Sequence, residues 1–355
     1  MIAGDYELWP ALREIALADS FSGLQEMRKG ALISIDANVL APRIQRYLNP
    51  KINFSTLRDE NCGPVQPAGR FDPKEARNRI INEEGYDPKN IRRYTMYPLD
   101  NRWCYHSGIR PIWNEPRPEL AQQMEDDNLC IVTRMSGRQP KEGVPIMATR
   151  SLPNYHLLDP NAHAFPIHIR TRPDAKGLFS GDGEAEKANL SERVRSWLAD
   201  LGRPVPDNDS KSATAPWLHA LAIGFAPAWL EEHKAAIFAG WPRVPLPATA
   251  ADLSWSAELG ARLAALLDPD RAVPSVTGGT LVAPFRVLGA MARVDGKGLK
   301  PEDLALTAGW GRGGGGKPVM PGNGRTVTRE RYSEEEHAQI DAAAVARGEA
   351  TVEGA

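Results

Sequence analysis

Apolar residues fall at Leu8, Leu12, Ile15 and Leu17, roughly one face of a helix over Glu7 to Ala18, with Pro10 suited only to a first turn. Residues 1–29 therefore read as a short docking helix and a linker. From Gly30 the pattern turns β-like, and Ala31-Leu32-Ile33-Ser34-Ile35 predicts a buried strand. Pro73 to Glu84 predicts a charged, solvated helix covering a sheet. Pro118 to Asp126 predicts another helix, and Asn128 to Thr133 a strand rich in β-branched residues. Residues 171–212 carry Pro, Gly, Ser, Asp and Lys without a sustained apolar period, which predicts a long flexible connection. Beyond it, Trp217 to Phe238 and Leu253 to Leu267 predict two helices separated by the Pro-rich Trp241 to Pro247. Ala213-Thr214-Ala215-Pro216 is placed as a helix start. Leu281 to Gly289 predicts a strand that Pro284 confines to an edge, and the acidic tail from Ser333 a terminal helix. The sum is a mixed α/β (α+β) chain of two lobes. A mixed-sheet lobe spans 30–172, a connection 173–212, a partly helical second lobe 213–331 and a tail 332–355.

Tyr94 to Glu119 is the densest stretch, with three tyrosines, two tryptophans and four prolines around Arg102, Arg110 and Arg117. Planar, permanently charged guanidinium groups beside aromatic rings and stiff turns can meet a phosphate or a base edge. A turn-rich core segment with arginines on its rim has the same composition. If Asp100 to Tyr105 is a strand, alternate residues face opposite sides; burial then favours Trp103 inward and Arg102 outward, with Asp100 on the face of Arg102. Arg102 is open to two roles, a structural partner of Asp100 or a DNA contact. Arg117, between Pro116 and Pro118, is expected in an exposed turn.

Between 130 and 172 six Lys/Arg stand against two Asp/Glu. The loop carrying Arg134, Arg138 and Lys141, with Thr149, Arg150, Ser151 and Asn154 beyond it, is a candidate backbone-contacting surface or a solvated hairpin. Gly309 to Pro318 contains Gly-x-x-x-x-Gly-Lys, but Pro318 stands where a phosphate loop has Ser or Thr and no helix follows. Arg312 and Lys317 instead suggest a cationic loop closing on nucleic acid, or an exposed glycine loop.

Composition adds bounds. The 355 residues are 42% hydrophobic and 25% charged, ordinary for a globular chain, and the formal charge of -2 argues against indiscriminate coating of nucleic acid. Cys62, Cys104 and Cys130 show neither a disulfide framework nor zinc-site spacing. Without a leader or a spanning segment, a cytoplasmic protein is expected. His163 and His168 are off any helical ligand spacing. Neither a methyl-donor loop nor the Asn/Asp-Pro-Pro-Tyr/Phe loop that holds a flipped base is present, so no cofactor and no catalysis are expected of this chain alone.

Tyr97-Pro98-Leu99-Asp100-Asn101-Arg102-Trp103-Cys104-Tyr105, followed by Arg117-Pro118-Glu119, resembles the Tyr-Arg-Pro-Phe-Asp-x-Arg-Trp-x-Tyr... Arg-Pro-Arg-x-Glu signature of type ISP restriction-modification enzymes. Ala226-Pro227-Ala228-Trp229 through Trp241-Pro242-Arg243-Val244-Pro245-Leu246-Pro247 resembles that family's Ser-Pro-x-Tyr-Arg... Phe-Pro-Arg-Ile-Pro block, and Thr56-Leu57-Arg58-Asp59-Glu60 its Thr-Gly-Arg-Asp-Glu. The sequence departs from the pattern at Leu57, Met96 and Asn114. In that family the matching region is the C-terminal target-recognition part, which follows nuclease, motor and adenine-methyltransferase domains. The resemblance implies a double-stranded DNA-binding module working with those domains, to which S-adenosylmethionine, ATP and Mg belong. It adds Arg58 to the DNA-contact candidates Arg102, Arg110, Arg117, Arg134, Arg138, Lys141, Arg150, Asn154, Arg312 and Lys317. The alternatives are a divergent methyltransferase or nuclease, and a protein-interaction scaffold in phage defence.

Overall fold

The computed structural model describes residues 3–134, 144–158, 161–171, 185–274, 291–293 and 326–328, together with positions 334, 335, 338, 341 and 342. The chain forms one unit of residues 1–33 and 37–271 and a second of 34–36 and 272–355.

The first unit opens with a 3-10 segment, Ala3–Leu8, and helix α1 (Leu12–Ile15). Strand β1 (Phe21–Ser22) precedes β2 (Ile33–Ser34). The strand expected over 31–35 shrinks to these two residues. The Glu26 carboxylate captures the N–H groups of Arg28, Gly30 and Leu32, so the chain turns instead of entering a ladder. Helices α2 (Ala37–Tyr47) and α3 (Phe54–Asp59) follow, then α4 (Pro73–Glu83). Helix α4 starts as its sequence dictates: Pro73 needs no N–H partner at the first position, and Asp72 accepts from Lys74 and Glu75 N–H.

Strands β3 (Ile91–Tyr97) and β4 (Asp100–Tyr105) form an antiparallel hairpin. After α5 (Pro118–Gln123) come β5 (Cys130–Arg134), β6 (Ile146–Thr149), β7 (Leu152–Pro153), β8 (Ala162–Pro166), β9 (His168–Thr171) and β10 (Ala185–Ala188). One four-stranded sheet has the order β1-β8-β5-β6, antiparallel throughout; the other has the order β2-β4-β3-β7, with β3 and β7 parallel. Strands β9 and β10 pair antiparallel.

The helical part consists of α6 (Glu192–Asp200), α7 (Ser210–Gly224), α8 (Pro227–Glu232), α9 (Lys234–Ala239) and α10 (Ala250–Leu266). The expected flexible connection over 173–212 is corrected from Ala185 onward, where it supplies β10, α6 and the start of α7. Buried Val194 and Leu198 recur four residues apart on α6, a period that the surrounding polar composition hides. Helix α7 begins earlier than the Pro216 signal, because the Asp209 side chain caps Ser212 N–H at 2.8 Å. The run 217–238 breaks into three helices: Pro227 holds Ala226 extended, and His233 separates α8 from α9. In the second unit, β11 (Met291–Arg293) pairs antiparallel with β12 (Thr326–Thr328). The described tail positions are helical. The strand expected at 281–289 lies outside the described residues.

The first sheet is buried on both faces. Cys130, Val132, Met147, Ala162 and Ala164 enter a core shared with α2, α4, α5 and the β3–β4 hairpin. Ile131, Ile146, Ala148 and Phe165 enter a second core with α1, α6, α7 and α10. The side-chain period of two sends neighbours to opposite cores, and two-sided burial explains the unbroken apolar run at 129–132. Leu12 and Ile15 are fully buried in the second core, so the N-terminal helix docks within its own chain rather than offering a free surface.

The orientation expected for Arg102 and Trp103 is reversed. Arg102 is 1% exposed on the face carrying Cys104, opposite Tyr94, while Trp103 is half-buried on the other face. Arg102 can face inward because Asp100 accepts from its Nε at 2.8 Å and its Nη2 at 2.7 Å. Trp103 is covered from outside by the Arg93 guanidinium, 4.7 Å from the ring centroid, which Asp270 holds in place.

Helices α7 and α10 cross at Gly260, where a built Cβ would lie 1.9 Å from the Leu218 carbonyl oxygen. On a free helix surface Gly→Ala gains about 1 kcal/mol. Here overpacking wins, and Gly260→Ala is expected to lower stability by about 2 kcal/mol or more. A urea midpoint that falls confirms the close crossing; one that rises rejects it.

Candidate nucleic-acid interface

Two loops of the first unit meet on one surface. The first is built around Glu26, whose buried carboxylate accepts N–H from Arg28 at 3.0 Å, Gly30 at 2.8 Å and Leu32 at 2.8 Å. Burial pushes this carboxyl up, and the three N–H groups and the nearby Arg28 charge oppose the shift. Folding the backbone round it places Met27 (φ 52°) and Lys29 (φ 57°) in the left-handed region with their side chains exposed. Arg28 lies over the Phe71 ring at 3.8 Å and donates from Nη2 to Pro111 O at 2.7 Å, tying this turn to the second loop.

The second loop runs from His106 to Arg117. Its inward residues hold it rigid: Trp113 is fully buried and donates from Nε1 to Tyr105 O at 2.8 Å, and His106 Nε2 bonds Pro116 O at 2.7 Å. Burial presses the His106 pKa down to about 4. The ring is therefore neutral, with Nε2–H as the donor. Reciprocal backbone bonds of 3.0 Å between Gln25 and Glu115 join the two loops. Facing outward, Arg110 donates to Glu115 Oε2 at 2.5 Å, and Arg117 Nη2 stands 3.5 Å from the same oxygen. Arg117 is itself left-handed (φ 47°) between its two prolines, at the start of α5. The loop face thus carries Arg110 and Arg117 beside the half-buried amides of Gln25 and Asn114, and the adjoining turn exposes Lys29.

Of the residues singled out in the sequence, Arg110 and Arg117 come together here. Arg58 is exposed on α3, in an open depression of about 520 Å³ lined by Asn53, Phe54, Ser55 and Lys74. Three other candidates are corrected. Arg102 is buried against Asp100. Arg134 ends the buried β5 and donates to Leu158 O at 3.1 Å. Asn154 is buried, with Nδ2 on Met96 O at 3.0 Å. Arg138, Lys141, Arg312 and Lys317 lie outside the described residues.

The basic excess of 130–172 is also not a basic surface in its described part. Arg150 bonds the Asp127 carbonyl, and Arg170 meets Asp126 at 2.9 Å and Glu186 at 3.4 Å. Thr149 and Ser151 are buried. A cleft of about 480 Å³ lies there, but Asp126, Asp127 and Glu186 share its lining with Arg150, Arg170 and Arg271. Acids from outside the counted window partner Arg150 and Arg170. His163 Nδ1 is 2.9 Å from Ser20 Oγ, and His168 is 3.8 Å from Glu186. The block at 226–247 is structural as well. Pro242 and Val244 exchange backbone bonds of 3.0 and 3.1 Å with Leu12 and Pro10, and Arg243 Nη1 donates to Trp9 O at 2.7 Å. Sequence reasoning missed Gln25, Arg28 and Lys29. The charge-dense Glu26-Met27-Arg28-Lys29-Gly30, ending in glycine before an apolar run, is the turn signal that marks them.

Residues 18–277 match the family model of the type ISP C-terminal specificity domain. The chain belongs to that family. Among solved structures it is similar to the cryoEM structure of a DrdV–DNA complex, with 19% identity and a TM-score of 0.50, over 72% of this chain and 23% of that one. It is also similar to the ATP-dependent type ISP restriction-modification enzyme LlaBIII bound to DNA, with 13% identity and a TM-score of 0.50, over 76% of this chain and 17% of that one. The specificity-domain chain thus spans only about a fifth of the length of these solved chains. No curated protein sequence matches it.

Two outcomes follow from the geometry. Asp100→Ala removes two charge-assisted bonds from a buried guanidinium and should cost about 3 kcal/mol of stability. Arg102→Ala should also destabilise, and an unchanged melting temperature in both variants would overturn the structural assignment of Arg102. His106, with its folded pKa depressed to about 4, favours the native state most above its unfolded value of about 6.5. That contribution, up to about 3 kcal/mol, is lost as pH falls from about 6.5 through 4. His106→Phe should remove this part of the acid sensitivity in urea titrations at several pH values, and an identical slope in both proteins would refute it.

Proposed function

We propose that the chain is the DNA target-recognition module of a type ISP-like restriction-modification system. It holds duplex DNA for the adenine methyltransferase, motor and nuclease carried by the rest of the enzyme or by a partner subunit. The observation that carries this is the loop face itself: Arg110 and Arg117 share Glu115 beside the half-buried amides of Gln25 and Asn114, in a chain belonging to a family of specificity domains. That both solved relatives are DNA complexes supports the same reading. Chemistry, with its S-adenosylmethionine, ATP and Mg, is assigned to the other domains, and this chain supplies only binding. A cytoplasmic site of action accords with this role; among the described residues, no helix is long and apolar enough to cross a membrane.

The cations divide by setting. Arg58 and Lys74 border a depression without an acidic residue, which suits a phosphate. Arg110 and Arg117 flank amides and suit a base edge or the phosphate beside it. Fluorescence anisotropy with labelled duplexes over a salt series tests this. Arg58→Ala with Lys74→Ala should weaken binding to every sequence alike and flatten the log-log salt slope by about one unit per lost contact. Arg110→Ala and Arg117→Ala should each weaken binding by about 1–3 kcal/mol with little change in melting temperature. Salt-independent binding, or no binding by the unaltered chain, would reject the module.

A further inference from the structure

Gln25 and Asn114 are 89 residues apart in the chain, yet their side chains bond each other: Asn114 Nδ2 donates to Gln25 Oε1 at 3.1 Å. The backbone fixes both ends. Gln25 N–H donates to Glu115 O at 3.0 Å, Glu115 N–H returns to Gln25 O at 3.0 Å, and Asn114 N–H donates to Glu26 O at 3.3 Å. Neither residue is buried, so the pair sits at the surface with its rotamers restrained. The mutual bond leaves Asn114 Oδ1 as an acceptor and Gln25 Nε2 as a donor, neither engaged among the described residues.

A pair that offers one acceptor and one donor matches one base in the major groove. Adenine presents the N6 amino donor and the N7 acceptor together. Guanine presents two acceptors and calls for two donors, cytosine presents a donor, and thymine an acceptor with a methyl group. We infer that the Gln25–Asn114 pair reads an adenine, Asn114 Oδ1 accepting from N6–H and Gln25 Nε2–H donating to N7; this rests on the DNA-recognition reading above. A single Asn or Gln usually makes both bonds. Here two amides share the task, and each is oriented by the other before DNA arrives, so little ordering is left for binding. Arg110 and Arg117, gripped by Glu115 next in the chain, are placed to hold the duplex beside the pair.

The test starts from selection of a preferred site out of a randomised duplex library by the full 355-residue chain. Anisotropy then compares the unaltered chain with Asn114→Ala and Gln25→Ala. Both variants should lose the preference for adenine at one and the same position, keep the remaining preferences and retain the salt slope. A second measurement leaves the protein untouched and so holds even if a variant folds poorly. Replacing that adenine by 7-deazaadenine, which lacks the N7 acceptor, should weaken the unaltered chain about five- to a hundredfold and leave Gln25→Ala unaffected. Unchanged preferences in both variants, or 7-deazaadenine without effect at every adenine of the site, overturns the inference while leaving target recognition standing. An unaltered chain that selects no sequence overturns target recognition, and the inference with it.

Discussion

Burying one antiparallel sheet on both faces is the constraint from which the first unit follows. Strands β5, β6 and β8 send alternate residues into two cores, so neither the hairpin side nor the helical side has a complete interior without them. At about 25 cal/mol per Å2 of buried apolar surface, such a shared sheet makes the layers cooperate rather than fold as independent lobes. The rigidity it gives reaches the surface through Trp113 and His106, which anchor the second loop to the edge of the first core. The face carrying Arg110 and Arg117 is made of loops, but each loop is nailed to a buried group.

Electrostatics in this chain are governed by partners brought together in space. Arg170 has acids from two separate segments around it, Arg102 has Asp100 two residues away, and Arg93 reaches Asp270 far along the chain. On the loop face one carboxylate, Glu115, serves both Arg110 and Arg117. Two cations on one anion leave a positive remainder, held in place yet available.

The elements most legible in the sequence are those with local signals. Helix α4 has its aspartate cap and leading proline, and β5 its unbroken apolar run. Helix α10 has its leucines, and the motif at 97–105 marked the family. The errors arose where a decision depends on something distant or small. Trp103 and Arg102 exchange faces because an available carboxylate outweighs the rule that rings go inward. The second strand is cut short by a single buried glutamate, and Ala185 onward is ordered against the second core despite its polar composition. The site was half legible for the same reason. Arg110 and Arg117 stood within a recognisable block, whereas Gln25 gains its place only from Glu115 and Asn114 across the fold.

The backbone bonds joining Pro10 and Leu12 to Val244 and Pro242 set an order of events. They close a loop of more than two hundred residues, among the slowest contacts a chain can make, since ends so far apart must meet before any energy is returned. During synthesis Leu12 and Ile15 precede the rest of the first unit, but the side of the core formed by 242–244 is made only after most of that unit has left the ribosome. Until then those two side chains lack part of their final cover. The segment around Leu12 is therefore locked late, although it precedes nearly all of the first unit in the chain.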